Sequence, residues 1–171
     1  MDGVNCMTFE RCHPDFYRDT EKYDHKLNGC GLNYDIGMHL FQDGLIWING
    51  PYKSGDNNDR GNFVEHVLRD KLKTIVKKAL GDKIYNGNPN EISTFNAFDC
   101  DEVTKFKARA QMWHEKLNGK MKEFQLIQVN FVIPDDETCA AEFEAIAVLV
   151  QFRLERGEYL FDILTGIEIE E

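Results

Sequence analysis

Two clusters of lysine and arginine give this sequence groups that could contact phosphate. One lies within residues 60–83, which hold seven basic and three acidic residues, and the other within residues 103–122, which hold six basic residues and one acidic residue. These cations either bind the phosphates of a nucleic acid or simply keep an exposed helix face solvated. The members of interest are Lys71, Lys73, Lys77 and Lys78 in the first cluster and Lys105, Lys107, Arg109, Lys116, Lys120 and Lys122 in the second.

Three acidic residues stand out because of their neighbours. Asp2 lies in a predicted first strand, Asp82 opens a later one after Gly81, and Glu115 interrupts the second basic cluster. At about 100° per residue, Glu115 lies nearly opposite the apolar stripe of its predicted helix, on a face with several small residues. Those small residues would let its carboxylate approach another surface closely, whereas the periodicity alone predicts that it is exposed to solvent.

The overall composition limits the classes of protein to consider. The chain has 171 residues, a net charge of −10 and a pI near 5.0, which argues against a polybasic protein that coats nucleic acid. A hydrophobic content of 42% excludes disordered and collagen-like classes and suits one domain spanning residues 1–171. Residues 135–171 hold eleven acidic and two basic residues, so the rest of the chain is close to neutral.

The five cysteines are odd in number and widely spaced, which predicts that they are reduced. Cys6, Cys12, His13 and His25 could suggest zinc, but no second ligand pair at close spacing follows, so we interpret them as packing thiols and surface histidines. The longest apolar run, residues 145–150, is too short to span a bilayer, and no leader sequence is seen. The sequence therefore predicts a soluble, intracellular protein.

Hydrophobic periodicity predicts a mixed α/β order of elements. Residues 2–9 favour a strand, and residues 32–40 and 45–48 favour a hairpin around Gln42-Asp43-Gly44, with Asn49-Gly50-Pro51 ending its second strand. Helical spacing predicts helices over residues 62–78 and 103–124, the latter capped by Asp99 or Asp101. A short strand over residues 79–85 and a last helix from near Asp135 to Gly157, with residues 145–150 deeply buried, complete the prediction.

Read together and in order, these segments resemble the catalytic domain of the PIF/Harbinger-type DDE transposases, which are DDE superfamily endonucleases. Residues 1–6 (MDGVNC) resemble the strand that bears the first catalytic aspartate, and residues 81–85 (GDKIY) resemble the G-D-K/S-G-Y motif that bears the second. Residues 105–122 resemble the helix that bears the catalytic glutamate. Further similar segments cover residues 25–37, 46–52, 58–59, 145–151 and 160–163.

The resemblance implies an RNase H-like fold, in which a mixed five-stranded sheet has flanking helices. It implies a metal-dependent DNA endonuclease or transposase whose catalytic residues and metal ligands are Asp2, Asp82 and Glu115. Asp2 would bridge two Mg²⁺ or Mn²⁺ ions, while Asp82 and Glu115 would each hold one, because hard divalent ions prefer oxygen ligands. Two such ions can clamp the attacking and leaving oxygens of phosphodiester cleavage. The second basic cluster would then bind DNA.

The sequence also departs from the family pattern. Ile84 replaces a glycine of the second motif, and Asp59, which matches a further family position, is interpreted as a supporting residue and not a ligand. Met1 adjoins the first strand, which predicts that the N-terminal DNA-binding domain is absent. Either the chain is a fragment of a longer reading frame, or a separate DNA-binding partner protein supplies specificity. The alternative is an inactive or domesticated transposase remnant that acts as a nucleic-acid-binding or protein-interaction module. Either protein would work in the nucleus of a eukaryote, without a membrane partner.

Overall fold

The computed structural model describes residues 2–7, 23–24, 29–42, 44–55, 67–75, 77–87, 89–124, 135–158 and 160. These residues confirm a mixed α/β fold. In chain order the elements are β1 (Asp2–Met7), β2 (Tyr23–Asp24), β3 (Gly29–Met38), β4 (Leu45–Lys53), α1 (Val67–Ile75), β5 (Ala79–Leu80), β6 (Ile92–Ser93), α2 (Asp101–Lys122) and α3 (Asp136–Glu155). A short 3-10 turn, Lys83–Tyr85, lies between β5 and β6.

Strand β3 is the centre of the larger sheet. β1 pairs with it antiparallel, from Asp2 opposite Ile36 to Met7 opposite Gly31. β4 also pairs with it antiparallel, and the two-residue β2 pairs with its first residues. Because successive side chains of a strand point to opposite faces, Leu32, Tyr34 and Ile36 share one face, and all three are buried.

The main core lies between that face of the sheet and helices α2 and α3. Trp113 and Leu117 of α2 and Phe143 of α3 are among its buried members, and the ring of Phe143 stacks on Tyr34 with centroids 3.8 Å apart. Cys6 also lies in this core, where burial raises the pKa of its thiol to about 12. The four cysteines that the structure describes, Cys6, Cys30, Cys100 and Cys139, are free thiols.

The predicted hairpin of β3 and β4 is confirmed, but the prediction that its second strand ends at Asn49-Gly50-Pro51 is wrong. β4 continues to Lys53, and the pairing with β3 shifts register between Asn33 and Asp35. Gly50 has φ 141°, and a Cβ there would lie 2.7 Å from Tyr34 Cδ1. Residues that favour turns can therefore be accommodated inside a strand where an irregularity and a glycine allow a close approach.

Helices α2 and α3 form where the apolar spacing predicts them, with two corrections. The N-cap of α2 is Cys100, so the prediction of an Asp99 or Asp101 cap is wrong, whereas Asp135 caps α3 by accepting a 2.8 Å hydrogen bond from Thr138 N. Residues 145–150 are only partly buried, since Val148 is 67% exposed. Six consecutive residues of a helix span more than one turn, so they cannot all face the core. Within the described ranges, no helix combines the length and apolar character needed to cross a membrane.

A smaller unit contains α1, β5 and β6. The predicted helix over residues 62–78 is confirmed for Val67–Ile75 and is wrong at Lys77 and Lys78, which are not helical, while residues 62–66 and 76 lie outside the described ranges. The prediction of a strand over residues 79–85 is wrong after Leu80, because the chain turns there and enters the 3-10 turn. β5 pairs in parallel with β6, which the sequence did not predict. Leu72, Tyr85 and Ile92 form the small core of this unit.

Candidate functional site

Glu115 lies on the outer face of α2, and its side chain is exposed, as the helical phase predicts. An open groove of about 570 Å³ lies on the same face, and those of its lining residues that the structure describes all belong to α2. Glu115 therefore has room for a ligand and makes no contribution to the main core. The groove is lined by Ala108, Gln111, Met112, Glu115 and Lys116.

Asp82 lies in the turn that follows β5, and it is half-buried. The preceding Gly81 donates its N–H to the carbonyl of Ser93 at 3.1 Å, and Tyr85 N donates to the carbonyl of Asp82 at 3.3 Å. A Cβ on Gly81 would lie 2.9 Å from the buried ring of Tyr85, so this turn requires glycine for close packing. The glycine and tyrosine of the GDKIY segment thus fix the backbone on either side of Asp82.

Asp2 is the first residue of β1, and its backbone is opposite Ile36 of β3. The carbonyl of Ile36 accepts a 3.1 Å hydrogen bond from Nε2 of His114, the residue before Glu115. One contact therefore links the strand residue paired with Asp2 to the helix turn that contains Glu115. Burial lowers the pKa of His114 to about 3, so its ring is neutral and Nε2 carries the proton that it donates.

The strand that precedes Asp82 reaches the same region. Ala79 and Leu80 of β5 line a cavity that His114 also lines. His114 therefore contacts the strand residue opposite Asp2 and shares a cavity with the strand before Asp82, whereas Glu115 lines a separate groove on the exposed face of α2. Sequence analysis did not single out His114, although its place four residues after Ala110 and three before Leu117 puts it on the buried face of α2.

Carboxylates alone form a donor set suited to Mg²⁺ or Mn²⁺. Among the side chains that the structure describes, no three His, Cys, Asp or Glu residues are close enough to share a metal ion. The side chain of Asp2 lies outside that set, as do Cys12, His13, His25 and Asp59. Asp82 and Glu115 therefore do not form a metal-binding group with any third side chain that the structure describes.

The six basic residues predicted to bind DNA differ in their surroundings. Lys105 and Lys122 are exposed, and Arg109 and Lys116 are half-buried. The buried Lys107 donates to Asp99 Oδ2 at 2.8 Å and to the carbonyl of Thr94 at 2.6 Å. Lys120 donates to Glu158 Oε1 at 2.5 Å. Lys107 and Lys120 are therefore held by ion pairs within the chain.

The Lys107–Asp99 pair makes the stability of the protein depend on pH. Hydrogen bonding from Lys107 holds the pKa of the Asp99 carboxyl below its usual value near 3.8. A lowered pKa in the folded state gives stability that is present above the unfolded-state pKa and is lost as the pH falls through the folded-state pKa. We expect Asp99→Asn to be less stable than the wild type near neutral pH.

Urea unfolding of the wild type and Asp99→Asn over a series of pH values measures this effect. The difference in their free energies of unfolding should shrink as the pH falls from about 5 to about 2. A difference that stays constant over this range would show that the Asp99 carboxylate does not stabilise the fold through its charge.

No family model, no curated protein and no solved structure matches this chain. The functional assignment therefore depends on the residues of the chain and on how the fold arranges them.

Proposed function

We propose that this chain is the catalytic domain of a metal-dependent DNA endonuclease or transposase of the PIF/Harbinger DDE type, acting in the nucleus when the cell is eukaryotic. Asp2, Asp82 and Glu115 are the metal ligands and catalytic residues. The observation that supports this best is the hydrogen bond from His114 to Ile36, because it ties the helix of Glu115 to the strand residue opposite Asp2.

The fold proposed for this domain is RNase H-like. β1, β2, β3 and β4 form an antiparallel sheet, and β5 and β6 form a separate parallel pair, so the described strands lie in two sheets. Helices α2 and α3 pack on the larger sheet. The packed helices support the flanking helices that the resemblance implies, whereas the described strands do not form one mixed five-stranded sheet.

The residues of the chain have distinct roles in this proposal. Asp2, on the strand, would hold divalent ions together with Asp82 and Glu115. When bound, such ions stabilise the attacking and leaving oxygens of an in-line phosphodiester displacement. Gly81 and Tyr85 fix the turn around Asp82, and the exposed Lys105 and Lys122 bind DNA phosphates, with sequence specificity supplied by a partner protein.

A catalytically inactive remnant that binds nucleic acid or protein is the second candidate function. It is favoured by the exposure of Glu115 on the outer face of α2, apart from the cavity that His114 shares with the strand before Asp82. Such a remnant would bind DNA or a partner without cleaving it.

A cleavage assay with the purified chain and plasmid DNA tests the proposal. We expect nicking or linearisation in Mg²⁺ or Mn²⁺ and none in EDTA. Asp82→Asn should lower the rate at least about 100-fold, because a metal ion supplies several kcal/mol of transition-state stabilisation. Cleavage in EDTA or full activity of Asp82→Asn would refute the proposal, and an intact but inactive wild type would favour the remnant.

A further inference from the structure

A cavity of about 440 Å³ lies where the β3–β4 hairpin, α1, β5 and α2 meet. Small-molecule sites in proteins commonly have volumes of about 300–1,000 Å³ and mainly apolar walls with a few polar groups. The apolar part of this wall includes Met38, Leu72, Leu80, Trp47 and Trp113. The size and lining therefore suit a flat organic ring system of moderate size.

Two buried polar atoms in the wall have no hydrogen-bond partner among the described residues. Trp113 is 3% exposed and His114 is 5% exposed, and neither Trp113 Nε1 nor His114 Nδ1 has a hydrogen-bond partner within the described part of the chain. Because His114 Nε2 donates to Ile36, Nδ1 of the neutral ring is an acceptor, while the indole N–H is a donor. Buried polar groups without partners are costly, so a ligand edge with one acceptor and one donor would satisfy both.

The rim of the cavity is basic and aromatic. Lys77 and Lys78 both line it and are exposed, and Lys78 Nζ donates to the carbonyl of Pro89 at 2.6 Å. Lys71 Nζ lies 4.7 Å from the ring centroid of Trp47, and the exposed Phe41 lies nearby in the lining. These lysines belong to the basic cluster within residues 60–83, and none of them has a role in the proposed cleavage site. A ligand that combines a flat ring with an anionic group matches both the wall and the rim.

We propose that this cavity binds a single nucleotide unit, with its base between the apolar walls and its phosphate at Lys77 and Lys78. Every nucleobase has a flat face for stacking and an edge with hydrogen-bond donors and acceptors, and lysine binds phosphate as a point charge. The nucleotide is either free or the unpaired end of a DNA strand. The DNA form deepens the function proposed above and rests on it, whereas the free form does not.

The fluorescence of the protein reports directly on this site. The chain has two tryptophans, Trp47 and Trp113, and both line the cavity. We expect saturable quenching on titration with dAMP, in EDTA so that the result does not depend on metal-dependent cleavage. A DNA hairpin with one unpaired terminal adenosine should quench if the source is a strand end, and the blunt hairpin of the same stem should not.

Charge-reversal variants test the role of the rim. Lys77→Glu and Lys78→Glu should each weaken dAMP binding about tenfold, the effect expected from losing one hydrogen bond to a charged group. Lys73→Glu is the matched control, because Lys73 is an exposed residue of α1 that does not line the cavity, and it should change the affinity less than twofold.

Three results would overturn the nucleotide site. The first is a wild type whose fluorescence quenching saturates with neither dAMP nor the unpaired hairpin. The second is quenching by inorganic phosphate alone that equals the quenching by dAMP. The third is an affinity for dAMP that falls equally in Lys73→Glu and Lys77→Glu. Failure of DNA cleavage with intact dAMP binding would instead refute the proposed endonuclease and leave this site standing.

Discussion

Replacing Glu115 with glutamine should abolish metal-dependent DNA cleavage while leaving the fold intact. Glu115 is exposed on α2 and packs against no part of the core, so the substitution should change the free energy of unfolding by no more than about 0.5 kcal/mol. That corresponds to a shift in Tm of about 1–2 °C for a chain of this size. A loss of at least about 100-fold in the cleavage rate, measured with plasmid DNA in Mn²⁺, then reflects the chemistry of the carboxylate.

Glu144→Gln is the matched control for this variant. Glu144 is an exposed glutamate of α3, away from the groove that Glu115 lines, and its replacement removes the same charge. We expect it to cleave DNA at the wild-type rate. Equal activity in Glu115→Gln and Glu144→Gln would remove Glu115 from the catalytic set.

Phe143→Ala should cause the largest loss of stability among single substitutions in α3. Phe143 is 0% exposed, and its ring stacks on Tyr34 with an interplanar angle of 7°. Truncating a buried phenylalanine removes its burial and leaves a cavity, which together cost about 3–5 kcal/mol. Thermal and urea unfolding should therefore show a Tm lower by about 10 °C or more.

Phe152→Ala makes the same chemical change on the same helix. Phe152 is 51% exposed, and its ring faces the guanidinium of Arg156 at 4.5 Å. We expect its free energy of unfolding to differ from that of the wild type by less than about 1 kcal/mol. Similar losses in the two variants would contradict the packing of α3 on the sheet.

The elements that the sequence predicts well are those set by local pattern. Trp113 and Leu117 recur at helical spacing in α2, and this spacing is enough to give the phase that leaves Glu115 exposed. The hairpin of β3 and β4 follows from a turn signal between two apolar runs. In each case the residues that determine the element lie close to one another in the sequence.

The features that the sequence does not predict depend on distant contacts. The two-residue strand β6 is too short to show a pattern, and it exists because β5 lies beside it. Lys107 is buried because Asp99 and the carbonyl of Thr94 satisfy its ammonium, a combination that helix periodicity cannot reveal. Val148 is exposed because only one side of α3 faces the sheet.

Predicting the candidate site requires both the local sequence patterns and the contacts between distant residues. Asp2 and Asp82 are 80 residues apart in the chain, and only the family resemblance suggests that their side chains act together. The link between the regions of Asp2 and Glu115 depends on the register of β1 and β3 and on the hydrogen bond from His114 to Ile36. Neither of these can be read from composition or spacing.

Counting bound Mn²⁺ ions by electron paramagnetic resonance tests most directly whether Asp2, Asp82 and Glu115 form one metal centre. The wild-type chain should bind two ions, Asp82→Asn and Glu115→Gln should each retain one, and Asp2→Asn, which removes the bridging carboxylate, should bind neither tightly. A folded wild type that binds no Mn²⁺, or three variants that all still bind two ions, would contradict the proposed metal centre.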